Sequence, residues 1–136
     1  MSFDMKIYNP DALGAPLGQY THVTRVKATE FLFIAGMLSA APDGTVVGVG
    51  DFDAQADQVF ANLGAALASA GADFSNIVQF TTYLVHSQSI PDFMTYRLRE
   101  FPKFFPNGAY PPNTLLMVDR LVKEEFLVEV QTIAAI

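Results

Sequence analysis

Residues 107–136 read NGAYPPNTLLMVDRLVKEEFLVEVQTIAAI and contain the first strong structural signals of the chain. After a turn-rich front, two strand-like runs cover residues 114–118 and 126–135, and a charged turn at 119–125 joins them as a closing hairpin. In the second run, Glu129 lies between two valines, in a segment that otherwise indicates a buried strand. A carboxylate in such a strand costs free energy unless it is hydrogen-bonded or faces a wet cleft. Glu129 is therefore the first candidate site residue.

Four more strands are predicted upstream, where apolar residues alternate or form short runs between turn signals. They cover residues 20–27, 31–35, 46–47 and 77–85. Residues 1–19 contain several glycines and prolines and are expected to be an irregular lead-in.

Two segments show apolar residues at helical spacing. The first helix is predicted at about residues 54–70, with Asp51 or Asp53 as its N-cap and Gln55 on the face away from the apolar stripe. The second helix is predicted from an N-cap at Ser89. Its apolar stripe is expected to be Ile90, Met94, Leu98 and Phe101, with Arg97, Arg99 and Lys103 on its solvated face. This order predicts a two-layer α+β fold, a mixed sheet of about six strands with two helices on one face.

Composition narrows the class of protein. A chain of 136 residues predicts one domain, spanning 1–136. Hydrophobic residues make up 51% and charged residues only 16%, which favours burial between copies in a homo-oligomer. The net charge of -6 argues against a nucleic-acid partner, and no apolar run is long enough to span a membrane.

The sequence offers few groups for cofactor or metal chemistry. It has no cysteine, only two histidines (His22 and His86), no phosphate-binding glycine loop and no Gly-x-Ser-x-Gly element, so neither a cofactor nor a metal site is expected. His86 is expected in an exposed loop, and His22 shares a predicted strand face with Tyr20. The absence of a secretory pattern at the N-terminus and of cysteine predicts a cytoplasmic protein.

Several segments together resemble the Rid/YjgF family, the reactive-intermediate deaminases. The segments are 18–20 (GQY), 31–36 (FLFIAG), 112–114 (PNT) and 128–134 (VEVQTIA). The resemblance covers about residues 14–135. It implies a chorismate-mutase-like fold and a homotrimer with clefts between neighbouring subunits. It also implies hydrolysis of imines and enamines such as 2-aminoacrylate to ketones and ammonia, although some relatives carry an endoribonuclease label.

By the same resemblance, Glu129 and Tyr20 are the candidate catalytic residues: Glu129 orients the attacking water, and Tyr20 lines the pocket. The substrate-binding candidates are the residues at the matching pocket positions. They are Asn113, Thr114, Gly36, Ala35, Met37 and Leu115.

This chain departs from the family pattern at the position that matters most. Asn113 stands where the family has the arginine that grips the substrate carboxylate, and a neutral amide cannot make that bidentate ionic contact. The sequence leaves open whether Arg25 or Arg120 supplies a replacement. It therefore predicts weak or absent activity on 2-aminoacrylate. It leaves three hypotheses: a hydrolase acting on a related small molecule with a C–N bond, a non-catalytic metabolite-binding protein and, least favoured, a ribonuclease.

Overall fold

The computed structural model describes residues 3–136 and contains six strands and two long helices within that range. A short 3-10 turn, Phe74–Asn76, follows the first helix. The elements in chain order are β1 (Asp4–Tyr8), β2 (Val23–Lys27), β3 (Phe31–Met37), α1 (Phe52–Ala68), β4 (Ile77–Leu84), α2 (Ser89–Phe104), β5 (Asn113–Met117) and β6 (Val128–Ala135). This confirms the α+β class.

The main sheet has four strands in the order β3-β6-β4-β5, and β1 and β2 form a separate antiparallel pair. β4 and β5 are parallel, so the chain needs the crossover helix α2 between them. β6 is antiparallel to both β3 and β4. The predicted closing hairpin is therefore wrong: β5 and β6 follow each other in the sequence but β4 lies between them. From Val128 to Ala134, β6 alternates buried residues with partly buried or exposed ones, and it has a partner strand on each side.

One face of the main sheet packs against the helices and forms the core, while the other face carries exposed apolar side chains. The helix-packed face includes Phe80, Leu84, Val128 and Val130, each at most 1% exposed. On the opposite face, here called the outer face, Phe33 is 79% exposed and is paired with Ile133 of β6.

Two sequence expectations about strands need correction. Residues 1–19 are not irregular throughout, because Asp4–Tyr8 forms β1 by pairing with β2; Met1 and Ser2 lie outside the described residues. The short strand expected at 46–47 is reduced to a single bridge between Ala40 and Val46. The six strands are therefore not the six predicted, and they form two sheets.

Gln55 of α1 lies in the core rather than on the solvated face. Asp51 caps the helix by accepting from the Ala54 amide, and Gln55 one turn later is fully buried. Its side-chain amide donates to the carbonyls of Gly48 and Glu125 and accepts from the Leu127 amide at 2.8 Å. Burial of this polar group is tolerated because both its donor and acceptor ends are satisfied. It fixes the turn that leads into β6.

The buried face of α2 also differs from the prediction. Leu98 is 64% exposed, whereas Phe93, Tyr96 and Phe101 are at most 1% exposed. These aromatic rings pack on Phe52 and Phe60 of α1, with ring centroids 5.5–6.4 Å apart. The large aromatic rings of α2 have partners on α1, and these contacts determine the orientation of α2. The predicted stripe of aliphatic residues is therefore not the buried face of the helix. Arg97 follows this face inward and is only 3% exposed, so it does not belong to a solvated charge cluster.

Candidate active site

The Glu129 side chain packs against Gly36. Glu129 lies on β6 opposite Tyr83 of β4, and its side chain crosses towards β3. A Cβ atom added to Gly36 would lie 2.6 Å from Glu129 Cδ and 2.8 Å from Glu129 Oε1. The glycine therefore makes room for the carboxylate.

The Glu129 carboxylate is half-buried without a charged partner. Among residues 3–136, none forms an ion pair with it. Burial alone raises the pKa of Glu129 above the usual glutamate value. A carboxylate of this kind can accept a proton from a bound water more readily than an exposed one.

Asn113 lies on the other side of the sheet from Glu129. It is paired with Phe80, a core residue of the helix-packed face, and its Oδ1 accepts a 2.7 Å hydrogen bond from the Thr82 hydroxyl. Glu129 is instead paired with Tyr83, whose side chain points to the outer face. Within one chain the two residues therefore cannot share a substrate.

The other predicted substrate-binding residues follow the same division. Leu115 is paired with Thr82 and points to the helix-packed side, whereas Thr114 is paired with Thr81 and is exposed. Met37 is paired with Val130. The pairing register of β3 shifts between Ile34 and Met37, and the two residues within this shift are Ala35, which is exposed, and Gly36.

Tyr20 lies against α2, and its neighbour there is Arg97. The guanidinium carbon of Arg97 is 5.8 Å from the centre of the Tyr20 ring and 4.6 Å from that of Phe93. The Tyr20 hydroxyl accepts from the Leu17 amide at 3.1 Å. The His22 ring meets the Tyr20 ring edge-on, with centroids 6.2 Å apart.

Sequence reasoning missed Arg97. The spacing of Phe93, Arg97 and Phe101 at intervals of four carried the signal, because an arginine between two core aromatics shares their helix face. The two arginines singled out as replacements are less suitable in this chain: Arg25 is exposed on β2, and Arg120 is paired with Glu124 at 3.1 Å.

A cavity on another part of the surface lies away from these residues. It has a volume of about 450 Å³ and lies between β1, the 3-10 turn and the end of α2, lined by residues such as Met5, Phe74 and Phe104. None of the predicted site residues lines it. Glu129 and Arg97, by contrast, are at least partly buried ionisable side chains that form no ion pair among residues 3–136.

Residues 3–136 contain neither a cluster of metal ligands nor a membrane-spanning helix. In this range, no three histidine or acidic side chains gather closely enough to hold a metal ion. No helix in the same range has both the length and the apolar character needed to cross a bilayer.

Comparison with known proteins gives a consistent result. The family model described as Endoribonuclease L-PSP matches residues 11–136. A RutC family protein of Synechocystis is 33% identical over 97% of both chains. The 2-iminobutanoate/2-iminopropanoate deaminase of rat is 29% identical over 95% of this chain and 88% of its own.

A solved structure is similar over the same length. The Rid family protein YyfB from Yersinia pestis superimposes with a TM-score of 0.86, covering 97% of this chain and 98% of its own at 28% identity. The fold and these matches define a small α+β protein of the RutC and L-PSP group. The chain belongs to the Rid/YjgF family.

Proposed function

We propose that this protein is a hydrolase that converts a small imine or enamine into a carbonyl compound and ammonia. The observation that carries the proposal is the Glu129 carboxylate, which is half-buried, faces Gly36 and has a raised pKa with no ion-pair partner among the described residues. The deaminase names of several relatives support the same reaction class.

In this mechanism, Glu129 holds a water by hydrogen bonding and accepts its proton as the oxygen attacks the C=N carbon. Glu129 returns that proton to the nitrogen, which gives a carbinolamine. The hydroxyl proton then passes to the same nitrogen, the C–N bond breaks, and ammonia leaves as the C=O bond forms. An enamine first takes a proton on carbon to become the imine. Because imines hydrolyse readily, positioning of the water supplies most of the required acceleration.

The proposal places the reaction between copies of the chain. Asn113 and Glu129 lie on opposite sides of the sheet, so a site that contains both needs residues from two subunits. The outer face also carries exposed Phe31 and Phe33, which a neighbouring subunit would cover. We propose a cytoplasmic homotrimer of one-domain subunits. Sedimentation equilibrium should give three times the 14.8 kDa chain mass, and a monomer would contradict this assembly.

Turnover can be tested with imines generated in situ from a panel of amino acids by an amino-acid oxidase. Ammonia release should exceed the spontaneous rate, and Glu129→Gln should remove most of the excess. Gln131→Ala is the matched control, because Gln131 lies two residues along β6 on the same face. If Glu129→Gln hydrolyses an accepted imine as fast as the wild type, the proposed role is wrong.

A second candidate function is binding of a small metabolite without turnover. Asn113 favours it, since the position that the resemblance assigns to the carboxylate-gripping arginine carries a neutral amide bonded to Thr82. Saturable binding of a metabolite that is never consumed would support this alternative. The acidic chain disfavours ribonuclease activity. If the wild-type protein cleaves RNA no faster than the Glu129→Gln variant, the ribonuclease hypothesis is wrong.

A further inference from the structure

The most unusual side chain outside the Glu129 site is Arg97. It is 3% exposed, and its Nε and Nη1 atoms have no hydrogen-bond partner among residues 3–136. Its Nη2 contacts the sulfur of Met94 at 3.0 Å, which is a weak acceptor. No carboxylate of the described chain forms an ion pair with it.

Burial of an unpaired guanidinium reduces the free energy of unfolding. A side chain with a purely structural role at this position would not need a charge. Rings of Phe93 and Tyr20 cover its flat faces but accept none of its in-plane N–H groups. Burial lowers the pKa of Arg97 to about 10, so the side chain is still cationic near neutral pH. The in-plane N–H groups are the ones with which arginine binds carboxylates.

The environment around Arg97 includes further polar groups that could serve a ligand. The Tyr20 hydroxyl lies on the same side of α2, and His22 Nδ1, next to the Tyr20 ring, is also buried without a partner in the described chain. Above them runs the segment 11–19, here called the strap. A Cβ atom added to Gly18 would lie 2.9 Å from Arg97 Nη2, so the strap closes directly over the guanidinium.

We propose that Arg97 and Tyr20 form a receptor for the carboxylate of a small organic acid, which enters beneath the strap. The receptor is separate from the proposed hydrolase site, because Arg97 belongs to α2 on the helix-packed side of the sheet, whereas Glu129 is on the outer face. The carboxylate would bind the free N–H groups of Arg97 and take the Tyr20 hydroxyl as a second donor.

The strap can open at little cost. Its backbone hydrogen bonds are local: the Leu13 amide donates to the Pro10 carbonyl, the Tyr20 amide to the Gly18 carbonyl, and the Leu17 amide to the Tyr20 hydroxyl. The strap lacks helix or strand structure, and Leu17 at its tip is 83% exposed. Segments with few long-range bonds open most easily in native proteins.

The receptor also stands on a different element from the arginine position that Asn113 occupies, because Arg97 belongs to α2 and Asn113 to β5. We therefore expect the receptor to recognise the carboxylate of its ligand independently of any C=N group.

Binding of two keto acids by titration calorimetry tests the receptor. The probes are pyruvate, whose keto and carboxylate groups are adjacent, and levulinate, in which they are further apart, with levulinamide as the neutral control. Wild-type protein should bind levulinate more tightly than levulinamide, which lacks the carboxylate. Arg97→Met should weaken levulinate binding by roughly ten- to hundredfold, the loss expected for a charge-assisted contact.

Two further variants keep the test decisive. Tyr20→Phe removes only a hydroxyl and should weaken levulinate binding several-fold, which remains measurable if Arg97→Met fails to fold. Arg25→Met removes an exposed arginine and should change nothing. Equal binding of levulinate and levulinamide by the wild type, or unchanged levulinate binding in Arg97→Met, would overturn the receptor.

The two proposals can fail separately. If Glu129-dependent turnover is found while neither acid binds, the receptor is wrong and the hydrolase proposal stands. If levulinate binds in an Arg97-dependent way while Glu129→Gln alters no turnover, the receptor stands and the hydrolase proposal fails.

Discussion

The contact between Gly36 and Glu129 can be tested without knowing a substrate, by replacing Gly36 with alanine. The added Cβ would lie 2.6, 2.7 and 2.8 Å from Glu129 Cδ, Cγ and Oε1, against an ordinary carbon contact of about 3.5–4.0 Å. Overpacking of this kind costs about 1–3 kcal/mol. Since Gly36 does not have a positive φ, alanine fits the backbone and returns about 0.5–1 kcal/mol by reducing the entropy of the unfolded chain. We therefore expect a net loss of about 1–2 kcal/mol in the free energy of unfolding.

The prediction becomes sharper in a double-mutant cycle with Glu129→Ala. That truncation removes all three contacting atoms, so Gly36→Ala should change sign and stabilise the protein by about 0.5–1 kcal/mol in the Glu129→Ala background. Urea denaturation of the four proteins measures both values.

Gly64→Ala is the matched control for this cycle. Gly64 lies in the interior of α1, and an added Cβ would approach nothing closer than Phe74 at 3.9 Å. It should stabilise by about 0.5–1 kcal/mol in both backgrounds. Equal effects of Gly36→Ala with and without the Glu129 side chain would refute the geometry on which the proposed catalytic role rests.

Three other predictions follow from buried polar groups. Arg97→Met, free of ligand, should raise the free energy of unfolding by about 1–3 kcal/mol in urea denaturation, because an unpaired buried charge is removed; a loss would show that the charge stabilises the fold. Burial raises the pKa of Glu129, so the stability of the wild type relative to Glu129→Gln should be highest at acid pH. It should fall as the pH rises from the usual glutamate range through the raised pKa, and a flat difference between pH 4 and pH 7 would contradict this. Gln55→Leu should cost about 2–4 kcal/mol by leaving the Leu127 amide and two carbonyls unpaired, clearly more than Gln58→Leu on the same helix.

Local sequence signals predicted those features that depend on neighbours along the chain. The apolar stripe and Asp51 cap located α1, and the alternating run located β4 within one residue of its end. Glu129 was recognisable as an acid between core valines, and the family was recognisable from the order of several weak motifs. The helix and strand predictions depend only on residue spacing and on capping residues, so they required no knowledge of tertiary contacts.

Features that depend on distant partners could not be predicted in the same way. The pairing of β6 with β3 and β4, rather than with β5, is decided by the crossover through α2. Burial of Gln55 depends on groups about seventy residues away, at Glu125 and Leu127. Arg97 is buried because aromatic residues of α1 turn α2 onto its Phe93 face, which outweighs the aliphatic stripe.

The position of β6 in the sheet has a consequence for synthesis on the ribosome. Both of its neighbours, β3 and β4, are made well before it, and Phe31 is paired with Ala135, about a hundred residues later. Until residues 128–135 emerge, β3 has no partner in this sheet, and its apolar run from Phe31 to Ile34 is a free strand edge. Assembly of the main sheet must therefore follow translation of residues 128–135, and the nascent protein exposes the apolar edge of β3 during that interval.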